Sequence, residues 1–161
     1  MRVATACQTG AVLHHAGDKF DFGGAHFEVL SPERGATLTV RDKDDASLVL
    51  RASCGAFGAS ALLPGDIHKK IELAMIARGR ALRVDLLKVP HHGSNTSSTE
   101  EFLAAVHPAM AVISDGRHNS FKHPRPEVLR RLGAAGARTF RTDELGPVTF
   151  YLDASGAHLK R

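Results

Sequence analysis

The 161-residue chain has no tryptophan, a single tyrosine and only two cysteines. So few aromatics argue against single-strand nucleic-acid binding by base stacking, which needs aromatic platforms. Cys7 and Cys54 stand far apart and make no CxxC pair, so neither a disulfide framework nor a zinc knuckle is indicated, and both read as buried thiols. Long apolar runs are missing as well. The longest, residues 59–63 and 110–113, fall far short of the roughly 20 residues that span a bilayer. Met1 and Arg2 are followed by only a few apolar residues before Gln8-Thr9-Gly10, which is no secretory signal. Dense basic runs, internal repeats, low-complexity tracts and linkers are absent, so residues 1–161 read as one unit. There is no GxGxxG, no P-loop and no Ser-His-Asp elbow.

What is present is an ordinary globular composition in a chain long enough to bury roughly two-thirds of its unfolded surface. A formal charge of +4 suits a polyanionic substrate without requiring one. The ten histidines are more telling, because imidazole is the commonest metal ligand.

Residues 1–25 are Gly- and His-rich and read as a strand remnant and then a loop ending at Gly23-Gly24. Alternation predicts a strand over 26–30, stopped by Ser31-Pro32, then a polar connection over 34–46. Strands over 47–52 and 59–63, joined by a turn at 54–58, are almost continuously apolar, as in a sheet covered on both faces. Apolar residues at helical spacing predict a helix over 67–78, and 84–89 reads as a further buried strand. Ser98 and Glu101 form a capping box for a helix running to Val106. A strand over 110–114 and a helix over 126–135, with Pro at its start and Gly136 after it, come next. Strands over 138–141 and 148–152 complete a layered α/β order.

Chemistry concentrates where buried strands end, the place where layered α/β proteins bind ligands. In Leu63-Pro64-Gly65-Asp66 the glycine permits a sharp turn, and the carboxylate either bridges two cations or caps the following helix. In Val89-Pro90-His91-His92-Gly93-Ser94 neighbouring imidazoles follow an apolar strand, where each must find a polar partner. One as ligand and the other beside it as support is a natural use. One strand-helix-strand unit separates the two motifs and brings both to one sheet edge, which favours metal over capping. A third cluster, Ser114 to Asn119 with Lys122 and His123, offers phosphate or substrate contacts through Arg117, Asn119, Lys122 and His123, or is a solvated loop. His14 and His15 read as surface residues, and Thr96, Ser97 and Ser98 as turn and cap.

These residues in order, Ser47-Leu48-Val49-Leu50, Leu63-Pro64-Gly65-Asp66-Ile67, Lys88-Val89-Pro90-His91-His92-Gly93-Ser94 and Thr96-Ser97-Ser98, resemble the ComEC family of DNA-internalisation competence proteins. The resemblance extends over Ala111-Val112-Ile113-Ser114, Asn119, His123-Pro124 and Thr142-Asp143. It lies with the family's C-terminal metallo-β-lactamase-like domain and implies the second half of a layered αββα sandwich. It further implies a metal-dependent phosphodiesterase, a nuclease that processes DNA during uptake, with two divalent ions (Zn or Mn) in the whole domain. By resemblance Asp66 corresponds to the bridging carboxylate and one of His91 and His92, with His92 favoured, to a late ligand. Ser94 joins the expected substrate contacts. The fold's HxHxDH signature is nowhere in the chain, and His14-His15-Ala16-Gly17-Asp18 lacks its spacing. A fragment or split-gene product is therefore expected, nearly inactive alone and weak in metal binding. Its partners would be the missing half and the membrane channel of a parent protein held at the cytoplasmic membrane, with this domain facing outward.

Overall fold

A computed structural model describes residues 12–36, 43–55 and 58–160. The expected strand remnant near the start, and parts of the 34–46 connection and the 54–58 turn, lie outside the described residues. Seven strands form one mixed sheet, joined in sequence order. β1 (Lys19–Phe22), β2 (Ala25–Ser31), β3 (Val49–Ser53) and β4 (Ser60–Leu63) pair antiparallel. β5 (Leu86–Lys88), β6 (Met110–Ile113) and β7 (Arg138–Arg141) then continue parallel to β4. Parallel neighbours need crossovers, and α1 (Lys69–Ala77), α2 (Glu100–Val106) and α3 (Pro126–Ala134) supply them. A one-turn α4 (Thr142–Leu145) and a hairpin of β8 (Phe150–Asp153) and β9 (Gly156–Leu159) follow. The α/β class is the expected one.

Several local expectations shift. β1 occupies what reads as loop, pairing with β2 across Gly23-Gly24; its outward residues leave little apolar pattern to read. Neither α4 nor β9 is signalled in the sequence. The cap of α2 is Thr99, whose Oγ1 accepts the Phe102 N–H at 3.2 Å, rather than Ser98. Ser98 is left-handed at φ 56°, and its N–H is given to the buried Glu72. α1 begins at Lys69 with His68 at its N-cap, so Asp66 does not cap it.

The core lies on one face of the sheet. Val49, Leu62, Leu87, Ala111 and Ile113 pack there against Met75 of α1, Phe102, Leu103 and Val106 of α2, and Val128 and Leu132 of α3. The register places Leu50, Leu63, Leu86, Met110 and Val112 on the opposite face. Four of these are partly exposed and Leu63 is 40% exposed. Among the described residues the two-sided cover expected from the apolar runs is full on the helix side and partial on the other, where Ala52, Ala61 and Phe140 are buried. Among the described residues the β8–β9 hairpin covers one corner of the second face, where Phe150 meets Phe140 edge-on at 5.2 Å.

Candidate metal centre

β4, β5 and β6 are adjacent and parallel, so their carboxyl ends open along one edge of the sheet. Asp66, the His91-His92 pair and the Ser114 loop all leave the sheet there. Gly65 makes the first turn at φ 62°, with Ser47 Cβ only 2.6 Å from where a side chain would begin. Asp66 donates its N–H to Ser47 Oγ at 3.0 Å, which fixes the direction of its half-exposed carboxylate. His91 donates its N–H to the Gly65 carbonyl at 3.1 Å, tying the first two turns together.

His91 and His92 are both left-handed, at φ 48° and 54°. That conformation costs a non-glycine residue about 1 kcal/mol, and such strain gathers at functional sites. Gly93 follows at φ 83°, pressed so closely on Pro124 that an added Cβ would lie 2.7 Å from the proline Cβ. The paired left-handed residues send the two imidazoles to different neighbours.

The His92 ring is fixed from behind. Its Nδ1 lies 2.6 Å from the Ser114 carbonyl, and because a carbonyl only accepts, Nδ1 carries the proton. The other ring nitrogen, Nε2, faces Asp66, 3.6 Å from Oδ1. An imidazole oriented through its other nitrogen and turned toward a carboxylate is the arrangement metal sites use. Lys88 Nζ stands 3.8 Å from the same Asp66 oxygen. Burial pushes the Lys88 ammonium below the usual lysine range, and Asp66 partly opposes this. The donor set of one carboxylate and one imidazole suits Zn or Mn, yet two donors do not close a four-coordinate shell.

His91 turns the other way, meeting His68 edge-on at 5.0 Å between ring centres and His123 at 5.9 Å. Burial, reinforced by the neighbouring His91, holds His123 below the usual histidine value. His68 Nδ1 is 3.1 Å from Asp45 Oδ1, and its Nε2 lies 3.8 Å from Asp44 Oδ2. One donor atom from each of Asp44, His68 and His91 lies within 4.8 Å of the other two.

The remaining candidates divide. A cleft of about 320 Å³ opens beside His92, walled by Ser114, Asp115, Asn119, Phe121 and His123. Asn119 is occupied with the loop itself: its Nδ2 donates to the Gly116 and His123 carbonyls, and its Oδ1 accepts the His123 N–H. Arg117 is exposed and donates through Nε to the Asp143 carbonyl at 3.3 Å, while Lys122 is exposed on the same loop. Ser94 is buried beneath the turn, with its hydroxyl 2.9 Å from Thr96 Oγ1. Sequence reasoning missed Lys88, Asp44, Asp45 and His68. Of these only His68, two residues after Asp66, carried a local hint.

A mixed α/β sheet thus brings acidic and imidazole side chains together at the carboxyl ends of its central parallel strands. No family model matches the chain. Among relatives, it is 38% identical over 149 residues to Competence protein ComA of Neisseria gonorrhoeae, covering 92% of this chain and 21% of that protein. It is 37% identical to ComE operon protein 3 of Bacillus subtilis, covering 83% of this chain and 17% of the relative. With Recombination protein 2 of Haemophilus influenzae the identity is 39%, covering 73% and 14%. The chain belongs to the ComEC family of competence proteins, and it spans about a fifth or less of the length of these relatives.

Proposed function

We propose that the chain supplies the distal half of a metallo-β-lactamase-type phosphodiesterase domain, a nuclease acting on DNA within a competence protein. One observation carries the reading: the Nε2 of His92, on a ring oriented by the Ser114 carbonyl, faces Asp66 Oδ1 at 3.6 Å across adjacent strand ends. Two donors leave a shell incomplete, so the reading requires further ligands from an HxHxDH-bearing part of the same protein. The half-open apolar face formed by Leu50, Leu63, Leu86, Met110 and Val112 supports it. Such a face is what a second sheet covers in a layered sandwich. That the relatives are named for competence and are several times longer supports both a role in DNA uptake and a larger parent protein.

Divalent ions, Zn or Mn and two in the completed domain, would supply activation of water and relief of charge at phosphorus. The chain's own residues do the rest. Asp66 and His92 hold and orient, and Gly65 and Gly93 fix their turns. Lys88, Arg117, Lys122 and His123 present positive or proton-bearing groups at the edge where a phosphate would lie. Asn119 and Ser94 keep the two loops in shape.

The test combines the chain with the HxHxDH-bearing part of a relative and follows cleavage of single- and double-stranded DNA with Mn²⁺. Chelator-sensitive cleavage should appear, be absent from either part alone, and fall below detection in Asp66→Ala. Full activity in Asp66→Ala would remove that residue from the site. DNA binding that is steep in salt but indifferent to chelator, with no cleavage, would instead indicate a non-catalytic binding module. Hydrolysis confined to small phosphodiesters would indicate a small-molecule hydrolase.

A further inference from the structure

We infer that Asp44, His68 and His91 form a second site, complete within this chain, that binds one divalent transition-metal ion separately from the Asp66–His92 pair. The inference stands on its own geometry and does not require the nuclease reading. The short helical turn Asp44–Ala46 crosses the start of α1. There the buried Asp45 accepts two bonds through one oxygen, from the His68 backbone N–H at 2.9 Å and from its ring at 3.1 Å. A carboxylate only accepts, so Nδ1 donates to Asp45, and Nε2 is the ring nitrogen left for a ligand. That nitrogen faces Asp44 Oδ2 at 3.8 Å. A carboxylate behind a histidine, with a second donor in front, is the outer support that raises the basicity of a metal-bound imidazole.

His91 closes the third side. Its ring lies edge-on to His68, and the three donor atoms fall within 4.8 Å of one another. Zinc bonds of about 2.0–2.2 Å bring tetrahedral donors to roughly 3.5 Å apart, so the trio must tighten by about an ångström. The Asp44 side chain is 49% exposed and free to make that movement. A second, independent observation is the consecutive left-handed backbone at His91 and His92, which lets neighbouring imidazoles serve different sites. Two nitrogens and one carboxylate oxygen favour Zn²⁺, Co²⁺ or Ni²⁺ over Mg²⁺ or Ca²⁺. Three protein donors leave a fourth position for water or a ligand atom.

The experiment titrates the 161-residue chain with Co²⁺, read by visible absorption, and then displaces it with Zn²⁺ followed by calorimetry. One Co²⁺ should bind with the intense absorption of a tetrahedral centre, and Zn²⁺ should displace it. His68→Gln should weaken this step at least tenfold, and Asp44→Asn, at an exposed side chain that folding does not need, should do the same. Asp66→Asn should leave it unchanged, because that residue reports on the other pair alone. No tetrahedral Co²⁺ signal, or a signal indifferent to both Asp44→Asn and His68→Gln, overturns the inference. Loss in Asp66→Asn only would assign the ion to the strand-end pair and overturn it as well.

Discussion

The turn after β5 is gripped by protein on nearly every side, whereas the loop after β6 holds mainly itself. In the first, Pro90, Gly93, Ser94, Ser97, Ser98 and Thr99 are all buried. The Glu72 carboxylate accepts the Ser98 and Thr99 N–H groups at 2.5 and 3.0 Å, and Ser97 Oγ donates to the Ile67 carbonyl at 2.7 Å. In the second, Ser114, Gly116, Arg117, His118, Ser120, Phe121 and Lys122 are exposed, and the Asn119 amide closes the loop on its own backbone. Both leave equally buried strands. The difference separates a rigid platform for His91 and His92 from an adjustable wall for the cleft. Precise placement belongs on the first, because donor geometry tolerates only fractions of an ångström.

The sharpest way to break this contrast is Gly93→Ala. The new methyl would meet Pro124 in a backbone already at φ 83°, so clash and strain together should cost about 3–5 kcal/mol. Urea denaturation should show either that loss or failure to fold; a change under about 1 kcal/mol would mean the turn is less tightly packed than described.

Next in size is Glu72→Ala, which strands two buried N–H groups and should cost about 2–4 kcal/mol in the same assay. Its pH dependence sharpens the point. Burial raises the Glu72 carboxyl above its ordinary 4.5, against the opposing pull of the Thr99 and Ser98 amides. The native state therefore holds this proton more readily than the unfolded chain. The group's contribution to stability is fullest below 4.5 and is lost as pH climbs through the raised value. Glu72→Gln should flatten the stability curve in that window and leave it unchanged well above; an unaltered slope would contradict a raised carboxyl.

The smallest effect belongs to the exposed loop. Asn119→Ala removes three hydrogen bonds that compete with water, so stability should fall by only about 1 kcal/mol. Amide hydrogen exchange at Gly116 to His123 should nonetheless accelerate, while that at Ser97 to Thr99 stays slow. Equal acceleration in both segments would erase the contrast.

How far this arrangement was legible in the sequence follows from the same contrast. The apolar runs of β3 to β6, and Pro126 and Gly136 around α3, announce themselves because each depends on neighbours a few residues away. So do Gly65-Asp66 and His91-His92 at strand ends. Ser98 could not be told from Thr99 as the cap, since the deciding partner, Glu72, is distant in sequence and the left-handed φ has no residue signature. The Ser114 carbonyl that orients His92 is backbone and has no signature either. Asp44, Asp45 and His68 meet only because a short turn crosses the start of α1, a long-range event that no local pattern reports. The second face, half-open among the described residues, shows a related limit: continuous apolar residues say that a strand wants cover, not which segment provides it.

The claim on which the rest depends is that Asp66 and His92 share a cation, and anomalous diffraction tests it most directly. Crystals of the chain assembled with the HxHxDH-bearing part of a relative, soaked in Mn²⁺ and measured at the manganese edge, should give a peak bonded to an Asp66 oxygen and His92 Nε2 at about 2.0–2.2 Å. Manganese bound elsewhere, with those two groups left as they stand at 3.6 Å, would contradict it.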